Sequence, residues 1–249
     1  MNFLNLIPEG DNIAVIGGGG KSGLIRVLAE DLLAARRPVL VSVTTRLGRC
    51  DFPGLQPVEA ADLDEALTAA RRAGRGERVL LTGPFQPDNM THNKFTGAPT
   101  GWFPALRRVV PPNLTLLVEA DGSARRPLKA HRAGEPVFPP LDNYVVAVVG
   151  LSALLKPWPD VVHRPEILTR YIESPPEDEP LTPEAVADFI VAAWAPFEPK
   201  LIFLNQVDLL ATESAKQLGR RLADQLIAKN FPVAVGSLTQ RSYFRWGRL

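Results

Sequence analysis

The sequence has few of the side chains that disulfides and soft metals require. It contains one cysteine, Cys50, two methionines and three histidines among 249 residues. A single cysteine excludes an intramolecular disulfide. His92, His131 and His163 lie far apart in the sequence, unlike the closely paired ligands of a zinc site. We therefore predict no function that depends on a thiolate or imidazole cluster.

Excess charge and long apolar runs are also missing. Lysine and arginine number 28 against 27 aspartates and glutamates, a formal net charge of +1, so no overall field favours nucleic acid or an anionic membrane. No apolar run approaches the roughly 18 residues of a membrane span, and the first residues lack the basic segment of a signal peptide. We expect a cytoplasmic protein with no nucleic-acid partner and no membrane partner.

What the sequence does contain is an alternation of apolar strands and helices. Buried-strand patterns cover residues 12–16, 38–44, 78–82, 114–119, 144–149, 200–205 and 232–236. Helical spacing of apolar residues covers 21–37, 63–73, 183–194 and 213–230. This alternation is typical of a mostly parallel sheet with helices on both faces. We predict a single α/β domain over residues 1–249.

Two long segments lack periodicity. Residues 85–102 and 124–142 are rich in proline, glycine, arginine and histidine. Loops longer than about 12–15 residues are usually functional or disordered, so we expect substrate-binding segments or lids here.

Asp62 and Thr182 precede two of the predicted helices and suit N-caps.

A glycine loop joins the first strand to the first helix. Its residues are Gly17, Gly18, Gly19, Gly20, Lys21, Ser22 and Gly23. In such a loop, backbone N–H groups and the positive end of the helix dipole bind phosphates. The lysine contacts the β- and γ-phosphates, and the hydroxyl that follows it ligates magnesium. We predict a fold like that of P-loop NTPases, with Mg²⁺ and either ATP or GTP as ligands.

The loop is a shortened variant, which leaves alternatives open. The common eight-residue pattern requires glycine where this sequence has Val15. A glycine-rich turn with an incidental lysine is one alternative, and a dinucleotide site is another. A dinucleotide site favours an acid at the end of the second strand, whereas this strand ends Thr44-Thr45-Arg46. The triphosphate interpretation is therefore preferred.

Polar side chains follow two other strands at the edge where open α/β sheets bind ligands. Thr44 and Thr45 could contact the γ-phosphate or a magnesium-bound water, although β propensity alone also explains threonines there. Glu119 and Asp121 follow an apolar strand, as the acids beside magnesium do in nucleotide hydrolases. We predict Ser22, Glu119 and Asp121 as magnesium ligands, and Lys21, Glu119 and Asp121 as catalytic residues. Which carboxylate binds metal and which accepts a proton stays open, as does a plain turn.

A basic segment follows directly. We predict that Arg125, Arg126, Lys129 and His131 bind a small anionic substrate or cofactor, as arginines bind oxyanions elsewhere. A solvated basic loop is the alternative.

A fourth polar element follows the strand at residues 200–205. Asn205, Gln206 and Asp208 resemble the N-K-x-D element that binds guanine in GTPases, and we predict Asn205 and Asp208 as nucleotide ligands. Because Gln206 replaces the lysine, the choice between ATP and GTP stays open. A simple strand-end turn is again the alternative.

Several segments together resemble one family. They are GGGGKS at 17–22, VTT at 43–45, VEADGSARRPLKAH at 118–131, VVGLSALLKP at 148–157, HRPEI at 163–167 and LNQVD at 204–208. The chain is similar to the selenium cofactor biosynthesis proteins of the YqeC type. The family loop is usually GAGGKT, so Gly18 and Ser22 depart from it, and NKxD is common where Gln206 stands.

The resemblance implies a P-loop, NTP-binding fold and a role in maturing selenium-dependent molybdenum hydroxylases. One hypothesis is an NTPase, or an NTP-dependent transferase acting on a selenium or molybdenum species. The alternative is a nucleotide-switched assembly factor or chaperone that docks on a client hydroxylase. A nucleotide-binding module without hydrolysis is a third.

Overall fold

The computed structural model describes residues 2–48, 52, 54–86, 94–173 and 177–247. Its strands are β1 Asn12–Gly17, β2 Val39–Val43, β3 Leu47–Gly48, β4 Gln56–Glu59, β5 Val79–Thr82, β6 Phe85–Gln86, β7 Lys94–Phe95, β8 Thr115–Glu119, β9 Leu128–Lys129, β10 Asn143–Gly150, β11 Val162–His163, β12 Leu201–Asn205, β13 Val233–Ser237 and β14 Ser242–Trp246. Its α-helices are α1 Lys21–Ala34, α2 Leu63–Gly74, α3 Phe103–Val109, α4 Trp158–Val161, α5 Pro165–Leu168, α6 Pro183–Trp194 and α7 Glu213–Ala228. Short 3-10 helices cover Phe3–Leu6, Thr100–Trp102, Leu151–Leu154, Ala195–Phe197 and Val207–Leu209.

The main sheet has nine strands in the order β14-β13-β12-β10-β1-β8-β2-β5-β4. All pairs are parallel except the β13–β14 pair at one edge. The α/β fold with a mostly parallel sheet is therefore confirmed, and it is compatible with a P-loop NTPase-like fold. β1 lies near the centre, with β10 on one side and β8 on the other.

Helices cover both faces of this sheet because its strands are apolar on both faces. Along β1, Ile13 and Val15 pack with α1, whereas Ala14 and Ile16 point to the opposite face, as the two-residue period of a strand requires. The opposite face is covered by α6 and α7 over one half of the sheet. Helices α2 and α3 cover its other half.

The seven predicted strands are confirmed, each within one residue at both ends. Helix α6 begins and ends where predicted, and the side chains of Asp62 and Thr182 cap α2 and α6. Helix α1 ends at Ala34 rather than at residue 37, because Arg36 takes a left-handed conformation with φ of 57°. The edge strands β4 and β14 were not predicted.

The two segments predicted as loops contain some regular structure. Strand β9, within residues 124–142, pairs in parallel with β11, so that segment is not wholly irregular. Segment 85–102 contributes β6 and β7 to a small antiparallel sheet with β3. Its residues 87–93, including His92, lie outside the described residues, as does Cys50. None of the helices in the described part of the chain has the length and apolar character that crossing a membrane requires.

The capping of α2 gives a direct test of the fold. Asp62 Oδ1 accepts a hydrogen bond from the Glu65 N–H at 3.0 Å. We expect Asp62→Ala to lower the free energy of unfolding by about 1 kcal/mol, because it leaves that helix donor without its acceptor. Asp62→Asn, which keeps an acceptor oxygen, should lose much less. Urea denaturation measures both, and equal losses in the two variants would contradict the capping role.

Candidate functional site

The first half of the glycine loop is fixed by its own hydrogen bonds. The backbone donors and their acceptors are Gly17 to Asp121 Oδ2, Gly18 to Val148 O and Gly19 to Arg126 O, each at 2.9 Å. These N–H groups are engaged inside the protein. They set the shape of the loop, and a ligand has to use donors further along it.

The second half of the loop opens helix α1 toward a cavity. The helix begins at Lys21, and its N-cap, Gly20, offers no side-chain acceptor. The first N–H groups of a helix have no partner within the helix, and they carry the positive end of its dipole. Gly20 has φ of 131°, and a Cβ there would collide with the side chain of Asn205. This close approach and this backbone conformation require glycine.

Lys21 lies on the floor of that cavity and is only 4% exposed. Its Nζ donates to Gly17 O at 2.9 Å and to Ser123 Oγ at 3.0 Å. It also lies 3.2 Å from Asp121 Oδ1 and 3.7 Å from Glu119 Oε1. Burial by itself lowers the pKa of Lys21, but Asp121 and Glu119 outweigh it and raise that pKa above its ordinary value. The ammonium therefore stays charged.

Ser22 and Glu119 bring two side-chain oxygens together beside the helix start. Ser22 Oγ donates to Glu119 Oε2 at 2.9 Å, and both residues line the cavity. A hydroxyl and a carboxylate suit Mg²⁺, which takes few protein ligands and completes its shell with water and phosphate oxygens. The described residues include no group of three or more His, Cys, Asp or Glu side chains placed to hold a metal. The oxygen donors at this place are therefore Ser22 and Glu119, which are of the type that Mg²⁺ accepts.

Asp121, in contrast, lies behind the loop. It is fully buried and does not line the cavity. Its Oδ2 lies 2.5 Å from His131 Nε2 and accepts from the Gly17 N–H. Burial alone would raise the pKa of Asp121, but Lys21 and then His131 hold it well below its usual range. In this position Asp121 orients the loop and Lys21, while Glu119 is the carboxylate that faces the cavity.

Like the two acids, the two predicted threonines differ in whether they face the cavity. Thr45 lines the cavity, whereas Thr44 turns to the end of β8, where its Oγ1 lies 3.4 Å from Glu119 O.

The predicted base-binding residues lie at the end of β12. Asn205 braces the loop, because its Nδ2 donates to Gly19 O at 2.8 Å and its Oδ1 accepts from the Leu238 N–H at 3.1 Å. Asp208 is in the 3-10 helix Val207–Leu209 and does not line the cavity. Gln206 does line it. The loop and β12 are therefore joined through Asn205.

The predicted basic residues divide between the cavity and the interior. Arg125 lines the cavity, and Arg126 contributes its backbone oxygen to Gly19. Lys129 is fully buried, with its Nζ 2.6 Å from Gly122 O and 2.8 Å from Glu135 Oε2. Burial lowers the pKa of Lys129 despite its acidic neighbours. Lys129 and His131 thus lie behind the loop.

The chain matches the family model described as YqeC protein over residues 13–166. It belongs to that family. It is also similar to the uncharacterized protein YqeC of Escherichia coli (strain K12), with 33% identity over 149 residues. This similarity covers 55% of the chain and 51% of the relative, about half of that protein's length. The match to the family model, over residues 13–166, contains the glycine loop, Glu119 and the basic segment.

The YqeC-family chain places further residues around the cavity, which has a volume of 1360 Å³. Those that our sequence prediction did not assign to the site include Arg46, Ser123, Glu135, His163, Arg164 and Gln206, whereas Arg132 belongs to the basic segment predicted to bind an anion. His163 and Arg164 belong to the HRPEI segment that carries the family resemblance, a signal that could have identified them. Glu135 had no such signal, since its bidentate contact is with Arg164, 29 positions away in the sequence.

Glu135 is the centre of a charged cluster at the cavity. Arg164 donates to its two carboxylate oxygens at 2.5 and 3.0 Å. Lys129 Nζ and Arg132 Nε lie 2.8 and 3.2 Å away. Burial by itself raises the pKa of Glu135, but the hydrogen bonds from Arg164 and Lys129 outweigh it and lower that pKa to about 2.

The cluster predicts an acid-dependent loss of stability. In the folded state the pKa of Glu135 is about 2, below its ordinary value of 4.5. The contribution of Glu135 to folding stability is therefore complete above pH 4.5 and is lost as the pH falls toward 2. Over this pH window the urea midpoint of the unmodified chain should fall more steeply than that of Glu135→Gln.

A matched control is Glu198→Gln, because Glu198 also pairs with a lysine but its side chain is 79% exposed. Its midpoint should follow that of the unmodified chain. Equal slopes for Glu135→Gln and the unmodified chain would contradict the role assigned to the cluster.

Proposed function

We propose that this YqeC-family chain binds a nucleoside triphosphate together with Mg²⁺ at the second half of the glycine loop. The observation that carries the proposal is the convergence of three features on one cavity: the uncapped start of α1, the charged Lys21 and the Ser22–Glu119 pair. Each suits a different part of a magnesium-bound triphosphate. The family match over residues 13–166 contains all three.

Different residues of the site bind the phosphates and the metal. The first N–H groups of α1 and the Lys21 ammonium bind phosphate oxygens. Ser22 and Glu119 hold the metal, which when bound neutralises charge on the phosphates. Asp121 positions Lys21 and Gly17 from behind, and Thr45 lies where it can contact the γ-phosphate. Under this proposal the chain acts as an NTPase or as an NTP-dependent transferase.

Adenine and guanine are both candidates for the base of the bound nucleotide. Asn205 is engaged with Gly19 O, and Asp208 stands away from the cavity. Gln206 lines the cavity, and its Oε1 accepts a hydrogen bond from Ser152 Oγ at 2.7 Å. An amide in that place offers both a donor and an acceptor. ATP and GTP therefore both belong in the binding test.

Calorimetric titration with ATP and with GTP, each with Mg²⁺, tests the proposal. We expect one nucleotide per chain, and an affinity about 10- to 100-fold lower for Lys21→Ala, which loses a charge-assisted contact to phosphate. Lys216→Ala, which removes a half-exposed lysine from α7, is the control. Circular dichroism verifies that the variants are folded. Undiminished affinity in folded Lys21→Ala would sink the proposal.

The metal assignment has its own test at Ser22. Ser22→Ala removes one proposed Mg²⁺ ligand and should weaken nucleotide binding in the presence of Mg²⁺ far more than in its absence. Ser22→Thr keeps the hydroxyl and should restore the effect of Mg²⁺. Titrations with Mg²⁺ and with excess chelator measure the difference. An effect of Mg²⁺ that is equally strong in Ser22→Ala would contradict the assignment.

We also propose that the nucleotide serves the maturation of a selenium-dependent molybdenum hydroxylase. The proposal is supported by several segments, above all 118–131 and 163–167, that resemble those of the selenium cofactor biosynthesis family and follow the same order along the chain. Turnover of ATP or GTP that is rapid only when a small anion is added, with no client present, would support an enzyme that acts on a small anionic cofactor. Turnover that starts only when a client hydroxylase is added would support an assembly factor instead.

A further inference from the structure

The cavity is larger than common small-molecule sites, and its lining has more basic than acidic side chains. Its volume of 1360 Å³ exceeds the roughly 300–1,000 Å³ of common small-molecule sites. Among the described residues that line it, five are lysine or arginine and two are glutamate. The five are Lys21, Arg46, Arg125, Arg132 and Arg164. An additional anionic occupant would match this excess.

Two sides of the cavity can be distinguished from the order of the strands. Gln206 follows β12, which lies on the β10 side of β1. The turn at residues 132–137 lies on the other side, because the Val137 N–H donates to Ala120 O, just after β8, at 2.9 Å. Glu119 is the last residue of β8. The turn is therefore next to the carboxylate that we assign to the metal, and away from Gln206.

The Glu135 carboxylate in that turn has several basic partners. Arg132 from the turn, and Lys129 and Arg164 from neighbouring segments, all lie within 3.2 Å of it. Lys129 also lies 3.8 Å from Asp121 Oδ2, so at the cavity two arginines share one carboxylate. Arg164 binds it through both Nη groups, which fixes its guanidinium at the cavity wall. Arg132 approaches it through Nε alone, and its side chain is 65% exposed, so further guanidinium donors are available for an oxyanion.

The backbone around the cavity is held in unusual conformations. Of the eight non-glycine residues with positive φ in the described part of the chain, four line this cavity: Ala124, Arg125, Arg164 and Gln206. Such conformations persist where the surrounding structure enforces them, and they cluster at ligand sites. The placement of Arg164 is thus fixed by its backbone as well as by its side-chain contacts with Glu135.

We propose that Arg132 and Arg164 form a second subsite, which binds a small molecule carrying a phosphate or another tetrahedral oxyanion group. Glu135 is its positioning residue, because it holds Arg164 at the cavity wall. The subsite lies beside Glu119, where a second substrate would meet the terminal phosphate, so its role as a substrate site rests on the proposed nucleotide function. Anion binding itself does not depend on that function.

Inorganic phosphate is a suitable probe. The chain is first saturated with Mg²⁺ and the β,γ-imido analogue of ATP or of GTP, whichever binds, so that the glycine loop is filled. Phosphate is then titrated in by calorimetry. We expect one phosphate per chain, with affinity reduced about tenfold or more in Arg132→Gln, which loses a charge-assisted contact. Arg220→Gln should match the unmodified chain, since Arg220 is a similarly exposed arginine paired with Glu213.

Arg132 is exposed, so folding of Arg132→Gln is expected, and circular dichroism verifies it. Arg164→Gln should weaken phosphate binding in the same direction. The proposal is overturned if phosphate does not bind to the nucleotide-loaded chain, or if it binds equally well to both folded variants.

The result also separates this subsite from the nucleotide proposal. If neither analogue binds but phosphate binding still depends on Arg132, the nucleotide proposal fails and the anion site stands. If an analogue binds and phosphate does not, only the anion site fails.

Discussion

The buried contact between Lys21 and Asp121 connects every part of the candidate site. Asp121 is fully buried, lies 3.2 Å from Lys21 Nζ and accepts the N–H of Gly17, so one carboxylate fixes both ends of the glycine loop. His131 lies on its far side. Removing one partner of such a pair strands a buried charge, at a cost of about 3–5 kcal/mol. The loop therefore has its shape before any ligand arrives.

This arrangement explains why the two acids after β8 differ in role. Asp121 is surrounded by donors from the loop and from the basic segment, which keeps it ionised but closed to the cavity. Glu119 contacts Ser22 at the cavity wall. The two acids are only two residues apart, but β8 ends at Glu119 and Asp121 lies in the loop that follows. Asp121 thus faces the protein interior, whereas Glu119 faces the cavity.

The strands of the main sheet could be predicted from the sequence because the spacing of apolar residues and the composition of a segment are local properties of the chain. Apolar runs bounded by glycine or proline defined seven strands, but β4 was missed because it contains Pro57 and is mostly exposed. The site was harder to predict. Lys129 and His131 were expected at a substrate and lie behind the loop, because their partners Glu135 and Asp121 are set by tertiary packing. The contact between Arg164 and Glu135 spans 29 positions and leaves no local pattern.

The most direct measurement is a crystal structure of the chain grown with Mg²⁺ and the β,γ-imido analogue of ATP or GTP. The account predicts that the β- and γ-phosphates lie against the backbone N–H groups of Lys21 and Ser22. The metal should lie between Ser22 Oγ, Glu119 and the phosphates. A nucleotide bound elsewhere, with the start of α1 holding no phosphate, would contradict it.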